Sequence, residues 1–410
     1  MKFSLGKFGL KHCDLPTMFS NVAVLLRLIT ININQLYAKS IPLIFYISTF
    51  IAGSIYFYGY IITTVWLVFF RYGRSNIEAA SVALAFGTCN VTCITKFVYM
   101  KLYAKEIENF VNKYLECDSH VTPNTRFANN LRKKLRVVKK RATIIWMFFV
   151  CDGMVYLSIP FFIPGRYFIV DVYIYYGLEP MLESPNYEIA NFVTILAIGL
   201  VVYILGSVVV YIIIIVGYNE AQLYALSKEL INVWDDGQMF YHNIINRITA
   251  DKVHAINIKN QIINEYVRMS LENITKFHIT NISLIRELDS NMRTTLVIEY
   301  SCKVVSIIAG LLGGIENTFL QLPYTIIQIF MDCLSGQRLI DACDQFRESV
   351  YACKWENFNA SNQRTVFLMV MMSQKTLILS AGGMVKLDFI CFMNILKSTY
   401  SIYTTLKSTV

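Results

Sequence analysis

The chain has few of the residues and none of the short motifs that mark an enzyme. Its histidines number only five, and they are scattered at His12, His120, His242, His254 and His278. HExxH, GxSxG and P-loop spacings are all missing, so nothing in the sequence points to a zinc, nucleophilic or phosphate-binding active site. We therefore predict a protein that is not an enzyme and that uses no cofactor and no metal ion.

The cysteines form no disulfide or metal pattern. Ten are present, and none falls in the segments that we place outside the cell, so no disulfide framework is expected. Cys89 and Cys93 stand one helical turn apart, a spacing that favours packing over metal ligation. No cleavable signal peptide is predicted, because Arg27 interrupts the first apolar run and no cleavage site follows it.

What the chain has in abundance is apolar sequence in long blocks. Hydrophobic residues make up 55% of the 410 residues and charged residues only 16%, and the mean hydropathy is +0.47. Blocks of this length predict an all-α, polytopic membrane protein. The seven predicted transmembrane helices are 42–70, 76–100, 142–163, 191–217, 294–312, 319–336 and 383–406.

The segments between these spans differ in character. Residues 1–41 form a basic segment with a short amphipathic stretch, which we expect to lie on the membrane surface in the cytosol. Residues 42–336 contain the first six spans, and within them 218–293 is a long, charged, helical segment expected in the cytosol. Residues 337–382 are expected to form another cytosolic helical segment before a final span in 383–410.

Lysine and arginine counts predict the orientation of the chain. The segment before the first span and the loop 101–141 together hold sixteen of these residues. The short loops on the opposite side hold only Arg71, Arg74 and Arg166. This bias places the amino terminus in the cytosol. It also makes the net charge of +9 a topology signal rather than a nucleic-acid footprint, so no nucleic acid partner is predicted.

A G-protein-coupled receptor is the alternative of a different class for seven spans. The predicted orientation is inverted relative to that class, and the second outer loop has no cysteine to bridge to the third span. No Asp-Arg or Asn-Pro dipeptide occurs anywhere in the chain. Glycan at the sequons of Asn273 or Asn281 would refute the inverted orientation and support this alternative.

Three charged residues within the spans need an explanation. Glu299 and Lys303 stand one turn apart on the fifth span, in the order that favours an ion pair between them. Asp152 in the third span is isolated. It is either neutralised, by protonation or by pairing with Lys303, or it belongs to a functional site.

The outer halves of the second, third, fourth and sixth spans contain aromatic residues and glycines that would enclose an apolar space with a few polar groups. The aromatic loop 164–190 is expected to cap it, and a small hydrophobic ligand suits such a site. Plain helix packing is the alternative for each residue. The candidate ligand-binding residues are Phe86, Phe149, Asp152, Gly153, Tyr156, Ile195, Gly199 and Tyr324.

The last span is the most polar of the seven. Its polar residues recur every three or four positions and so form one stripe on a helix: Asn394, Lys397, Ser398, Ser401, Thr404, Thr405 and Ser408. Lys397 lies near the middle of the span, where a lipid-facing charge costs at least about 2.5–3.5 kcal/mol. The helix is therefore either buried in a bundle or lines a pore.

From about residue 319 to the end, the sequence resembles the insect odorant receptor family. The resemblance rests on an ordered set of short motifs: CLSG at 333–336 with Leu339, SVY at 349–351 with Trp355, MMSQK at 371–375, SAGG at 380–383, LKSTYS at 396–401 and LK at 406–407. The rest of the chain is similar only in span layout, in the long segment after the fourth span and in overall length.

The resemblance implies an odorant-binding subunit of a ligand-gated nonselective cation channel. Such a subunit would assemble with the shared co-receptor Orco in a heterotetramer, in the plasma membrane of an olfactory neuron dendrite, and bind a small volatile apolar ligand. Residues 337–382 would be the anchor helix, with Tyr351 and Trp355 as packing residues. A taste-type relative that acts as a homomeric channel is the nearest alternative.

The resemblance also implies a pore wall and gate on the seventh span, formed by Thr399, Ile402, Tyr403 and Leu406. Tyr403 would be the hydrophobic gate, and Leu406 would occupy the filter position that is polar in the co-receptor. These two positions lie roughly opposite the polar stripe. On this assignment the stripe is predicted to make interhelical hydrogen bonds.

Overall fold

The structure is a computed structural model that describes residues 9–10, 12–33, 41–73, 75–245 and 255–409. Over these residues the fold is a bundle of long helices with one very short β-hairpin near its carboxyl-terminal end. The all-α prediction is confirmed. Of the residues in the predicted amino-terminal segment, 1–8, 11 and 34–40 lie outside the described residues.

The helices follow the predicted blocks. The first span is one continuous rod, Leu43–Tyr72, in which two π-helical segments, Phe57–Ile62 and Leu67–Tyr72, alternate with α-helix. The helices are α1 Leu15–Leu28, α2 Leu43–Tyr56, α3 Thr63–Trp66, α4 Ile77–Leu102, α5 Ala104–Ser119, α6 Arg126–Phe162, α7 Asn186–Ile245, α8 Ala255–Leu312, α9 Ile315–Thr318, α10 Gln321–Tyr351, α11 Ala360–Ser373 and α12 Phe389–Thr409. The hairpin pairs β1 Ser380–Ala381 with β2 Val385–Lys386.

Five of the described helices are long and apolar enough to cross a membrane: the rod Leu43–Tyr72, α4, α6, α7 and α8. They contain the first five predicted spans, and α10 and α12 coincide with the sixth and seventh. The chain is therefore a multi-pass membrane protein. The count of seven spans and the inverted orientation stay predictions. The fourth and fifth spans do not end where their apolar blocks end, because α7 and α8 continue unbroken through most of residues 218–293.

The apolar face of the amino-terminal helix α1 packs against the rest of the bundle. Its apolar side chains Leu15, Phe19 and Leu26 are fully buried, and the helix packs against α5 and α7. Both ends are held by hydrogen bonds. The Nζ of Lys139 donates to the carbonyl of His12 at 2.6 Å, and the Tyr203 hydroxyl donates to the carbonyl of Leu25 at 2.7 Å. The apolar face of α1 is therefore covered by protein rather than by lipid, and its position at the membrane surface stays a prediction.

Residues 337–382 form several elements rather than one anchor helix. The second half of α10 ends at Tyr351, and Lys354 then adopts a left-handed backbone conformation that turns the chain into a short 3-10 helix. The Asn359 side chain caps the start of α11 by accepting a hydrogen bond from the Asn362 backbone. Gly382 and Gly383, with φ of 65° and 73°, then form the tip of the hairpin.

Gly336 explains part of the CLSG motif in physical terms. At this point on α10 the backbone that leads into α12 passes so closely that a Cβ on Gly336 would lie 2.1 Å from the carbonyl oxygen of Leu387. A larger residue does not fit unless one of the two backbones moves. The junction between α10 and α12 is therefore in direct backbone contact.

Candidate functional site

Two adjoining cavities lie between the helices near the loop 164–185. The larger has a volume of about 70 Å³ and the smaller about 40 Å³. Both are lined by Tyr60, Phe86 and Tyr156, so these three side chains form a shared partition between them.

Five structural elements supply the wall of the larger cavity. Tyr60 comes from the first π-helical segment of the rod, a type of helical irregularity that is frequent at functional sites. The remaining lining residues come from α4, α6, α7 and α10: Phe86, Cys89, Asn90, Asp152, Gly153, Tyr156, Ile198, Val201, Val202, Leu320, Gln321 and Tyr324. The site therefore exists only in the folded bundle and is not contained in any one segment.

Two glycines let these helices approach closely beside the cavity. A Cβ on Gly153 would lie 2.6 Å from a methyl group of Val202, so the Val202 side chain on α7 packs directly against the backbone of α6. A Cβ on Gly87 would lie 2.4 Å from a methyl group of Thr64, which brings α4 against the rod. Both glycines thus set the width of the space in which a ligand would sit.

The loop between α6 and α7 is folded into the bundle as a lid. The Tyr173 hydroxyl donates to the carbonyl of Gly59 at 3.0 Å, and the Tyr175 hydroxyl lies 2.8 Å from that of Thr194. Burial raises the pKa of Tyr175 to about 12, so its hydroxyl stays protonated and available as a donor. Arg71 pairs with Glu179 at the outer end. The lid is thus tied to the rod and to α7.

The predicted ligand-binding residues take three kinds of position. Five of them line the larger cavity, and Ile195 lines the smaller. Phe149 lies behind the wall, where its ring packs edge-on against Tyr324 with centroids 5.2 Å apart. Gly199 lies on an exposed face of α7, and a Cβ there would meet nothing within 4 Å. Gly199 therefore does not belong to the cavity wall.

Some residues that line the cavities were not predicted from the sequence. We predicted no ligand-binding residue on the first span, although Tyr60 lines both cavities and Tyr56 stands one turn before it. Their rings are 5.5 Å apart, and the Tyr56 hydroxyl donates to the carbonyl of Asn90 at 2.6 Å. Tyr173 and Tyr175 lay in the predicted cap, but no sequence signal singled them out from the other aromatics there.

A second polar cluster lies deeper in the bundle. Lys96 on α4 is 2.7 Å from Glu299, Glu299 is 2.5 Å from Lys303, and Lys303 is 3.1 Å from Asp332 on α10. All four side chains are buried. The predicted Glu299–Lys303 pair is confirmed, and the suggested pairing of Asp152 with Lys303 was wrong, because Lys303 is held by the other two carboxylates.

On α12 the polar stripe is exposed along its whole length in the single chain. Three of its hydroxyl groups donate hydrogen bonds to backbone carbonyls of the helix itself. Thr404 and Thr405 donate to the carbonyl of Ser401, and Ser408 donates to that of Thr405. These three bonds stay within α12, and the interhelical bonds of the stripe stay a prediction.

The four predicted pore residues do not share one exposed face of α12. Thr399 is buried and donates to the carbonyls of Ile395 and Leu396. Tyr403 is half-buried on the same side, whereas Ile402 and Leu406 are exposed. Their roles in a pore stay predictions.

Two further sequence signals can be placed. In the part of the chain that the structure describes, no three histidine, cysteine or acidic side chains are grouped so that they could hold a metal ion. The side chain of Asn281 is fully buried and donates to Gln222 at 3.0 Å. Asn273 is exposed. Of these two sequons, Asn273 is therefore the one at which a glycan reports orientation.

Comparisons with known proteins agree on one group. A family model described as 7tm Odorant receptor matches residues 76–400. The fold is similar to that of the insect olfactory receptor OR5 from Machilis hrabei in complex with eugenol, with a TM-score of 0.70, 12% identity and coverage of 97% of this chain and 99% of that one. A second structure of the insect olfactory receptor OR5 from Machilis hrabei gives a TM-score of 0.69 and 12% identity, and the match covers 96% of this chain and 98% of that one. A comparison with curated proteins finds no match.

Proposed function

Because the chain belongs to the odorant receptor family, we propose that it is an odorant-binding subunit of a ligand-gated nonselective cation channel. The site described above would hold the odorant. The channel would form in the plasma membrane of an olfactory neuron dendrite, by assembly with the co-receptor Orco into a heterotetramer.

The exposed polar face of α12 is the observation that carries this proposal. It presents Asn394, Lys397 and Ser401 to the outside of the single chain, at the depth of a predicted span. Lipid is a poor solvent for such a surface, because each charge or unsatisfied polar group in hydrocarbon costs several kcal/mol. The face must therefore be covered by water or by another subunit, and a shared pore supplies both.

The region that precedes α12 supports assembly. Tyr351 and Trp355, predicted to be packing residues, are 54% and 43% exposed in the single chain. Aromatic residues of this kind are enriched at protein interfaces. We propose that both pack against a neighbouring subunit rather than within this chain.

One helix connects the cavity with the proposed pore. Tyr324 on α10 lines the larger cavity, and Phe330, less than two turns further along, packs against Phe389 and Phe392 at the start of α12, with ring centroids 6.2 and 5.5 Å away. A ligand that binds the cavity more tightly when α10 is displaced would shift α12 with it. This is a route by which odorant binding would open a pore.

The proposal is tested by whole-cell current from cells that express this chain with and without an insect co-receptor. A panel of volatiles is applied with a G-protein inhibitor present throughout, and a co-receptor agonist shows that channels reach the surface. We expect an odorant-evoked cation current in the co-expressing cells alone. Current from this chain alone would instead support the homomeric, taste-type alternative.

Two results would count against the proposal. If the panel is silent while the co-receptor agonist still works, co-purification decides whether this chain joined the channel, and failure to co-purify contradicts the subunit assignment. A glycan on Asn273 would place the segment 218–293 outside the cell and favour the G-protein-coupled alternative.

A further inference from the structure

Unpaired oxygen atoms are collected around the larger cavity. Asp152 lines it from α6, and no described residue forms an ion pair or hydrogen bond with its carboxylate. Gln321 and Tyr324 line it from α10. The Oε1 of Gln321 and the hydroxyl of Tyr324 are buried, and neither has a hydrogen-bond partner among the described residues. Buried polar atoms are usually satisfied, so the two buried atoms without a partner point to a missing one, and the half-buried carboxylate of Asp152 lies on the same cavity.

The orientation of Gln321 is fixed by its neighbours. Its Nε2 donates to the carbonyl of Ala85 at 3.1 Å and to the hydroxyl of Ser306 at 2.6 Å. A backbone carbonyl can only accept, so the amide nitrogen must face it and Oε1 must be the unpaired atom. The Gln321 side chain therefore offers the cavity an acceptor. The Asp152 carboxylate is also an acceptor when ionised, and the Tyr324 hydroxyl can act as one.

The protein supplies no positive charge to this site. Asp152 is the one charged side chain among the described residues that line either cavity. The buried cations deeper in the bundle, Lys96 and Lys303, are held by Glu299 and Asp332. An ionised carboxylate in a region of low polarity requires a counter-charge or a proton. A ligand that enters the cavity as a cation would provide the counter-charge.

The remaining wall suits a cation as well. Tyr60, Phe86, Tyr156 and Tyr324 contribute four aromatic rings to the lining. The faces of such rings attract ammonium groups, and the attraction strengthens when water is excluded. Ile198, Val201 and Val202 form an apolar side that would contact a short carbon skeleton.

We propose that the ligand of this chain is a small primary amine, bound as its ammonium ion. The three N–H groups of the ammonium would donate to Asp152, Gln321 and Tyr324, and its carbon skeleton would lie against the aromatic and aliphatic wall. Asp152 thus determines specificity by favouring an amine over a neutral volatile of the same shape. This inference rests on the proposed function, in that the cavity is taken as the odorant site.

Binding to the purified full-length chain in nanodiscs tests the inference without requiring a channel current. The probes are two matched series on the 2-phenylethyl and 3-methylbutyl skeletons, each as the primary amine, the alcohol and the plain hydrocarbon. We expect an amine to bind more tightly than its alcohol. In Asp152→Asn this advantage should fall by at least about tenfold, as for the loss of a charge-assisted hydrogen bond, while alcohol binding changes little.

Glu316→Gln is the matched control, because it removes an exposed carboxylate on α9 that lines neither cavity. It should keep the amine preference. Tyr324→Phe should weaken amine binding by a smaller factor and serves as the second variant if Asp152→Asn does not fold.

Three results would overturn the inference. The amine and the alcohol bind equally well, neither amine binds, or Asp152→Asn keeps the preference for the amine. If co-expressed channels open to neutral volatiles but not to amines, the amine assignment fails and the channel proposal stands.

Discussion

The two charged regions inside the bundle, one buried and one half-buried, differ in how their charges are compensated. In the inner cluster, the two lysines Lys96 and Lys303 form ion pairs with the two carboxylates Glu299 and Asp332 and so neutralise them. In the outer cavity, Asp152 has no partner among the described residues. The two regions are close, because Lys96 lies six residues, or about 9 Å along a helix, beyond Asn90 of the cavity wall on α4.

This difference separates a structural role from a binding role. A buried charge that is fully paired contributes to the fold, and its removal leaves the partner uncompensated. A half-buried charge without a protein partner, such as that of Asp152, does not help to hold the fold together and is available to a ligand. Asp152 and Lys303 are both charges at membrane depth, yet only the first is placed to recognise a ligand.

Removal of one inner charge should produce the largest effect on stability. Lys303→Met leaves Asp332 without its partner and Glu299 with Lys96 alone, and we expect a loss of about 3–5 kcal/mol, as for breaking a buried pair. The midpoint of thermal unfolding of the purified chain and its abundance at the cell surface should both fall sharply.

Asp152→Asn is the comparison variant, because it neutralises a carboxylate from which no described residue loses a partner. Its unfolding midpoint should equal that of the unaltered chain or exceed it. The double variant Lys303→Met, Asp332→Asn should regain part of the loss. If Asp152→Asn proves as destabilising as Lys303→Met, then Asp152 also stabilises the fold, and the contrast drawn between the two regions is wrong.

The sequence allowed part of the inner cluster, the Glu299–Lys303 pair, to be predicted. Glu299 and Lys303 are four residues apart on one helix, so their pairing depends only on local geometry. Lys96 is more than 200 residues away from that pair in the chain, and Asp332 is 29 residues away from Lys303 on another helix. Only the packing of α4, α8 and α10 brings them together. No local spacing carries that information.

The dependence on helix packing also explains which residues of the candidate site could be predicted from the sequence and which could not. Phe86, Asp152, Gly153, Tyr156 and Tyr324 were predicted because aromatic residues, glycines and a lone carboxylate stand out within apolar spans. Tyr60 was missed because the candidates were taken from the second, third, fourth and sixth spans alone, and Gly199 was included although it faces outwards. A glycine near a site looks the same in the sequence whether it faces a helix or the outside, because its role depends on what is opposite.

A moderate effect is expected at the junction between α10 and α12. Gly336→Ala would place a Cβ 2.1 Å from the Leu387 carbonyl oxygen, so the helix and the chain that leads into α12 must separate. Overpacking of this kind costs about 1–3 kcal/mol. The variant should lower the unfolding midpoint and also change the basal current, since the displaced segment enters the proposed pore helix.

Gly199→Ala is the matched control in the outer half of α7. A Cβ there meets nothing within 4 Å, and alanine is favoured over glycine within a helix by about 0.5–1 kcal/mol. The unfolding midpoint should therefore stay or rise slightly, with the response to ligand unchanged. If both variants lower the unfolding midpoint equally, the close contact between Gly336 and Leu387 is not the cause of the destabilisation.

The smallest expected effect is a difference in the rate of cysteine modification, and it tests which face of α12 lines the pore. A cysteine placed at Ser401 or at Tyr403 is exposed to a membrane-impermeant thiol reagent during a ligand-evoked current, with the unaltered chain as the control for its own cysteines. Ser401 is on the exposed polar face, and Tyr403 is half-buried on the side that packs against the chain's own bundle. We expect the current through Ser401→Cys channels to change faster than that through Tyr403→Cys channels.

If the current through Tyr403→Cys channels changes faster, Tyr403 lines the pore as the gate, as the family resemblance implies. Tyr403→Ala should then raise the basal current. Either order bears on the comparison of the two charged regions, because α12 packs against α8 and α10, which also carry three of the four inner charges. A rotation of α12 that brings Tyr403 into the pore must break the contacts of Phe389 and Phe392 with Phe330. The inner cluster would then be the fixed base against which α12 turns, and the unpaired carboxylate above it would mark where the ligand acts.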